Sequence, residues 1–191
     1  MRVTKAAVIE AASDIADRDG LGGVSLKAVA ERLNIRTPSL YNHIGSLDDL
    51  LREVAHEGMT AMNDRMTRAA VGTFGGRAIK AVSTEYLNYM IEHPGVYETI
   101  QWASWHGNEE TERIYGEYIA LMRKLIASLA CDERSTDEIC GLLTGLLHGF
   151  TTLQLRYAFE EPERVRREME NAVDTVLLGI GQKYGRREAA E

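Results

Sequence analysis

The sequence predicts an all-α protein in two parts: an N-terminal three-helix domain over residues 1–50 and a larger helical domain over residues 51–191. Three observations carry this. Apolar residues recur at i, i+3, i+4 and i+7 along most of the chain, and no run alternates with the period of two that a half-buried strand shows. Capping residues stand where those apolar stripes begin. The run Val71 to Gly76, V-G-T-F-G-G, is the clearest interruption, and the domain boundary falls on the long helix that precedes it.

Taken in order, Thr4 to Arg18 places Val8, Ala11, Ala12, Ile15 and Ala16 at helical spacing, and a Gly-rich turn from Gly20 through Gly23 ends the segment. Ser25 is a candidate N-cap for a second helix whose inward face is Leu26, Val29, Ala30 and Leu33. Asn34 follows where a left-handed C-cap residue belongs. Thr37 offers the next N-cap hydroxyl, with Pro38 at the first helical position, where a missing N–H costs nothing. In that short third helix Leu40 and Ile44 share the buried side, which leaves Ser39, Tyr41, Asn42 and His43 spread over the others. Ser46-Leu47-Asp48-Asp49 is a capping pattern that opens a long helix to about Ala70, with Met59, Met62 and Met66 as flexible core filler.

Beyond the V-G-T-F-G-G break, Ala78 to Glu92 is helical and Pro94 stops it, because proline disfavours helix in the preceding His93. Gly95 to Trp105 is a short aromatic-rich segment, and Glu109 to Ala130 carries the stripe Ile114, Tyr118, Leu121, Met122 and Leu125. Ser135-Thr136-Asp137-Glu138 is a capping box for a helix to about Phe159. Pro162 opens the last helix, and a charged tail begins at Gly185.

Composition limits the possible functions. Hydrophobic residues make up 45% of the 191 and charged residues 27%, an ordinary balance for a globular protein. The longest apolar run, Ile139 to Leu153, is interrupted by Thr144, His148 and Thr151 and is too short and too polar for a membrane span. Cys131 and Cys140 are too few for a disulfide framework and are not spaced for a metal site, so the expectation is a cytoplasmic protein without metal or cofactor. The net charge is −7, but residues 1–47 hold six Lys/Arg against five Asp/Glu, so the excess acid lies outside the motif they contain. Arg2, Lys5, Lys27, Arg32 and Arg36 cluster there. A local basic face of this modest size suits site-specific rather than promiscuous contact with phosphates.

Two helices joined by a tight turn form a helix-turn-helix whose second helix reads DNA. The run A-V-A-E-R-L-N-I-R-T-P-S-L-Y-N-H-I, with an amphipathic helix and a glycine ahead of it, resembles the DNA-binding domain of the TetR family of bacterial repressors over about residues 4 to 56. Two positions depart from the family pattern: Ile44 stands where Phe or Val is common, and Gly45 where a Lys often touches phosphate. The H-P-x-x-Y element at His93 to Tyr97 and the His148-Gly149 pair resemble a subgroup of the family with a ligand-binding C-terminal domain of the WHG type. The resemblance implies a regulator that dimerises through its last two helices and is released from a palindromic operator by a small molecule.

Site candidates follow. Arg36, Thr37, Ser39 and Asn42 lie at the start or on the exposed side of the reading helix, where Asn suits adenine and Arg suits guanine. Lys27, Tyr41 and His43 are assigned to phosphates, and the resemblance implies the same for the Tyr and His of L-Y-x-H. Tyr86, Met90, Tyr97 and Trp102, with Trp105, Tyr118 and His148, are the candidates for a small apolar effector. They form either a pocket or ordinary core. Gly141, Gly145 and Gly149 recur every four residues, each at a cost of about 1 kcal/mol in a helix interior. That ridge means close approach of another backbone, either in a homodimer or within one subunit. No G-x-S-x-G, H-E-x-x-H or phosphate-binding glycine loop is present, so no catalytic residue is expected. The alternative is a helical enzyme or structural adaptor that binds no DNA.

Overall fold

The computed structural model describes residues 3–129 and 132–184. Among these every regular element is helical: α1 (Lys5–Asp19), α2 (Leu26–Arg32), α3 (Leu47–Ala70), α4 (Gly75–Glu92), α5 (Pro94–His106), α6 (Glu109–Ala127), α7 (Glu133–Glu160) and α8 (Pro162–Tyr184). Two short 3-10 helices, Leu21–Gly23 and Thr37–Asn42, complete the list. The expected tail from Gly185, and Cys131, lie outside the described residues. No helix is long and apolar enough to cross a membrane, and no group of three or more His, Cys, Asp or Glu is placed to hold a metal, both among the described residues.

The chain divides into two compact units, Met1–Ala61 with Glu92–Tyr115, and Met62–Ile91 with Gly116–Glu191. This grouping is by packing. It crosses the functional division at residue 50 expected from the sequence, because the segment around α5 joins the N-terminal helices.

In the first unit local chemistry sets each boundary. The Thr4 hydroxyl accepts from the Ala7 amide at 3.2 Å, Ser25 from Ala28 at 3.1 Å and Ser46 from Asp49 at 3.0 Å, so three helices start on side-chain caps. Asn34 has φ of 53°, the left-handed turn after α2. Val8, Ala12, Ile15, Val29, Leu40, Ile44, Leu50 and Val54 are buried. The capping expected of Thr37 does not occur. Arg36 occupies the cap position without a side-chain bond, and Thr37 is already inside a 3-10 helix. The backbone bonds in three-residue steps, Ser39 donating to Arg36 and His43 to Leu40, each at 2.8 Å.

The segment expected to be short and aromatic-rich is a full helix, α5, and it docks on the end of α1. Its four N-terminal amide positions are all accounted for. Pro94 has no N–H, Tyr97 donates to the His93 carbonyl at 2.9 Å, and Gly95 and Val96 both donate to Asp17 Oδ1 at 2.9 Å. Asp17 Oδ2 lies 2.9 Å from His93 Nδ1, and Glu98 accepts from the Leu21 amide at 2.9 Å. Gly95 is required by contact, since a Cβ there would stand 1.8 Å from the Ala16 carbonyl oxygen.

In the second unit α7 and α8 pack along each other. Ile139, Leu143 and Leu147 of α7 and Val165, Met169, Val173 and Ile180 of α8 are buried. Tyr118 on α6 meets the Thr144 hydroxyl on α7 at 3.1 Å, and Lys80 on α4 pairs with Asp174 on α8 at 2.9 Å. The capping box expected at Ser135 lies three residues too far along. Asp132 is the cap and accepts from the Ser135 amide at 2.7 Å, because Glu133 and Arg134 already extend the helix upstream.

Candidate nucleic-acid interface

The Thr37–Asn42 helix is held from beneath and open above. Leu40 is fully buried and Ile44 nearly so, while Ser39, Tyr41 and Asn42 are exposed and Thr37 and His43 are half-buried. The 3-10 form changes the register in a useful way. With three residues per turn, side chains at i and i+3 eclipse, so Ser39 and Asn42 fall in one row along the helix. Four of the seven residues expected to touch DNA, Arg36, Ser39, Tyr41 and Asn42, are thus solvent-facing within ten positions of the α2 C-terminus, and Lys27 is exposed on α2.

Charge on this face is partly spent within the protein. Lys27 stands 3.8 Å from Glu31, Lys5 pairs with Glu53 at 2.6 Å, and Arg32 bonds to Asp14. Among the described residues Arg36 has no ion-pair partner. Exposed pairs are worth only about 0–1 kcal/mol, so Glu31 holds the Lys27 ammonium only weakly. Farther along, the α3 amides open at Ser46, while Asp49 is held below the usual carboxylate range by its bonds to Arg52 and then Ser46.

Two residues that the sequence does not single out border this face. Val3 and Ile35 line an open groove of about 370 Å³ together with Ser39, Asn42 and His43. Neither has a capping or periodic role that singles it out, and their approach to the reading helix is a tertiary fact.

Residues 79–176 match the family described as Tetracyclin repressor-like, C-terminal domain. An HTH-type transcriptional regulator of Bacillus subtilis, YobS, is 33% identical over 179 residues, covering 93% of both chains. The chain belongs to the TetR family. It is a helix-turn-helix transcriptional regulator of that family, whose members bind DNA and typically dimerise and bind small ligands. The HTH-type transcriptional repressor DrrR1 of Streptomyces coeruleorubidus is 35% identical over 100 residues, which span 49% of this chain and 34% of that one. The fold is that of a TetR variant from Acinetobacter baumannii AYE solved in complex with minocycline, with a TM-score of 0.73, 19% identity and coverage of 97% and 100%.

The residues expected around an effector fall in both units. Tyr97, Trp102 and Trp105 lie on α5 in the first unit; Tyr86, Met90, Tyr118 and His148 lie in the second. Tyr86, Met90, Tyr97 and Tyr118 are buried and Trp102 is half-buried, stacked on His106 at 4.6 Å between ring centroids. Trp105 is 88% exposed and His148 is also on the surface. In this conformation neither of those two side chains is enclosed.

Proposed function

We propose that this regulator is a ligand-relieved repressor that binds a palindromic operator as a homodimer and is released by a small, largely apolar effector. The observation that carries the DNA reading is the row of Ser39 and Asn42, exposed above a buried Leu40, with Arg36 at its head. Arg36, Thr37, Ser39 and Asn42 contact base edges, Asn42 suiting the paired acceptor and donor of adenine. Lys27, Tyr41 and His43 contact phosphates and fix register.

Dimerisation through α7 and α8 is supported by what their glycines face. A Cβ at Gly141, Gly145 or Gly149 would meet nothing within 4 Å, so packing inside the subunit does not explain the ridge. Large apolar side chains accompany it on the same two helices: Leu142, Leu153, Tyr157, Phe159 and Leu178 are exposed, Leu153 by 77%. Unpaired apolar surface of this extent favours a partner. A C2 pairing presents the same ridge from both copies.

Relief of repression requires an effector that binds better to the conformation whose reading helices are wrongly spaced. The α3 helix is the lever, since it starts on the Ser46 cap beside the reading helix and continues for 24 residues to Ala70. The minocycline complex of the structural neighbour and the repressor name of DrrR1 support this part of the reading.

Selection from a random duplex library by the purified protein tests the proposal. The enriched sequence should be palindromic, with half-sites one helical turn apart or a multiple of it, about 34 to 36 Å per turn. Enrichment of no sequence, or of a lone asymmetric half-site, would contradict it.

A further inference from the structure

The groove beside the Thr37–Asn42 helix is lined by both polar and apolar side chains. Ser39, Asn42 and His43 give it a polar wall on the helix; Val3, from the residue just before the α1 cap, and Ile35, from the turn between the two helices, give it an apolar wall. Both apolar side chains are half-buried, so each is anchored on the protein and still presents a hydrocarbon surface outward. A surface that only met phosphates or water would gain nothing from that wall. The edges of the base pairs in the major groove offer nitrogen and oxygen donors and acceptors and one apolar group, the thymine C5-methyl.

We propose that Val3 and Ile35 form a methyl-reading wall, which seats a thymine C5-methyl in the operator next to the base contacted by Asn42. The inference rests on the DNA-reading role of the Thr37–Asn42 helix and adds what that role lacks: two specificity-determining residues outside the helix and the chemical group they select. The row of Ser39 and Asn42 sets the arrangement, because one edge of the 3-10 helix then holds hydrogen-bonding groups while the apolar pair lines the same groove from outside the helix. Selection here comes from burying one methyl, not from a hydrogen bond, so the preference for thymine over an unmethylated pyrimidine with the same Watson–Crick edge should be modest and local.

The test uses the full-length protein and the operator obtained by selection. Each thymine of a half-site is replaced in turn by deoxyuridine, which removes only the methyl, and affinity is measured by fluorescence anisotropy. One thymine per half-site should show a loss of about fourfold, the value of one buried methyl, and the others little. In Val3→Ala that particular loss should shrink below about twofold, with the remaining positions unchanged. Val3 precedes α1, so the variant is expected to melt as the parent does. Ile35→Ala, checked first for an unchanged helical circular dichroism spectrum, should act in the same way. Equal uracil losses in parent and both variants, or no loss at any thymine while sequence-specific binding persists, would overturn the methyl-reading wall and leave the DNA-reading role standing. Absence of any sequence-specific binding would overturn both.

Discussion

Replacing Asp17 by Ala removes a helix cap supplied from another part of the chain. The Asp17 carboxylate accepts from the Gly95 and Val96 amides, both at 2.9 Å, and faces His93 Nδ1 at the same distance. His93 itself makes no side-chain capping bond, so no local group takes over. Loss of a local N-cap costs about 0.5–2 kcal/mol, and a negative charge at a helix N-terminus contributes about 0.3–1 kcal/mol more. The Asp17 side chain is 23% exposed, which lets water reach the freed amides and keeps the total to about 1–3 kcal/mol. For a chain of this length that is a fall in melting temperature of about 2–12 °C. Trp102 and Trp105, the two tryptophans of the sequence, are both on α5, so intrinsic fluorescence follows the helix that Asp17 holds. Urea unfolding read by fluorescence, with hydrogen exchange at the Gly95 and Val96 amides, measures the effect. Asp17→Asn keeps an acceptor oxygen and should lose only about 1 kcal/mol. A loss under about 0.5 kcal/mol for Asp17→Ala, with amide protection unchanged, would refute the capping account.

Three other outcomes follow from the same structure. A Cβ at Gly145 meets nothing within 4 Å among the described residues, so Gly145→Leu should fold with helical circular dichroism intact, yet sediment as a monomer with much reduced operator affinity; overpacking of about 1–3 kcal/mol falls on both subunits. A variant that stays a tight dimer would place the interface elsewhere. His56, 2.7 Å from the Thr111 hydroxyl, is held below its ordinary value of 6.5 by burial, with Glu53 and Glu110 opposing and Arg52 and Arg113 adding to the shift. Below about pH 6.5 the unfolded chain therefore takes up a proton that the folded one resists, and stability falls on acidification; in His56→Gln denaturation curves between pH 7 and 5.5 should show a shallower fall. An effector found by thermal shift should weaken operator binding by the factor by which operator weakens effector binding, as isothermal titration in both orders would show. Stabilising ligands that leave DNA affinity untouched would break that coupling.

What the sequence discloses is what is settled over a few residues. The caps at Thr4, Ser25 and Ser46, the left-handed Asn34 and the buried pair Leu40 and Ile44 are readable because donor and acceptor, or the two apolar side chains, are three or four positions apart. The choice of 3-10 over α in Thr37–Asn42 is less readable, since both use the same residues and differ by one position in hydrogen bonding. Asp17 carries no local sign of its role, because its partners are 76 to 79 residues away. The H-P-x-x-Y element is visible as a motif, but its service as the docking end of α5 on α1 is not. Aromatic content is equally ambiguous. It draws together Tyr118, buried and bonded to Thr144, and Trp105, which faces solvent, because hydrophobicity alone does not separate core from surface or pocket. The glycine ridge shows its period in the sequence, and only the structure shows that its groove is vacant within the chain.

Base reading by Thr37–Asn42 is tested by the affinity of a Ser39→Ala, Asn42→Ala double variant for two duplexes, the selected operator and an unrelated sequence of equal length. Both side chains are exposed, so the fold should be unaffected and the melting temperature should match the parent's. The account predicts a loss of about thirtyfold to a thousandfold on the operator, the worth of the lost base-edge contacts, with binding to the unrelated duplex at low salt unchanged. Operator affinity within about threefold of the parent, or an equal loss on both duplexes, would contradict it.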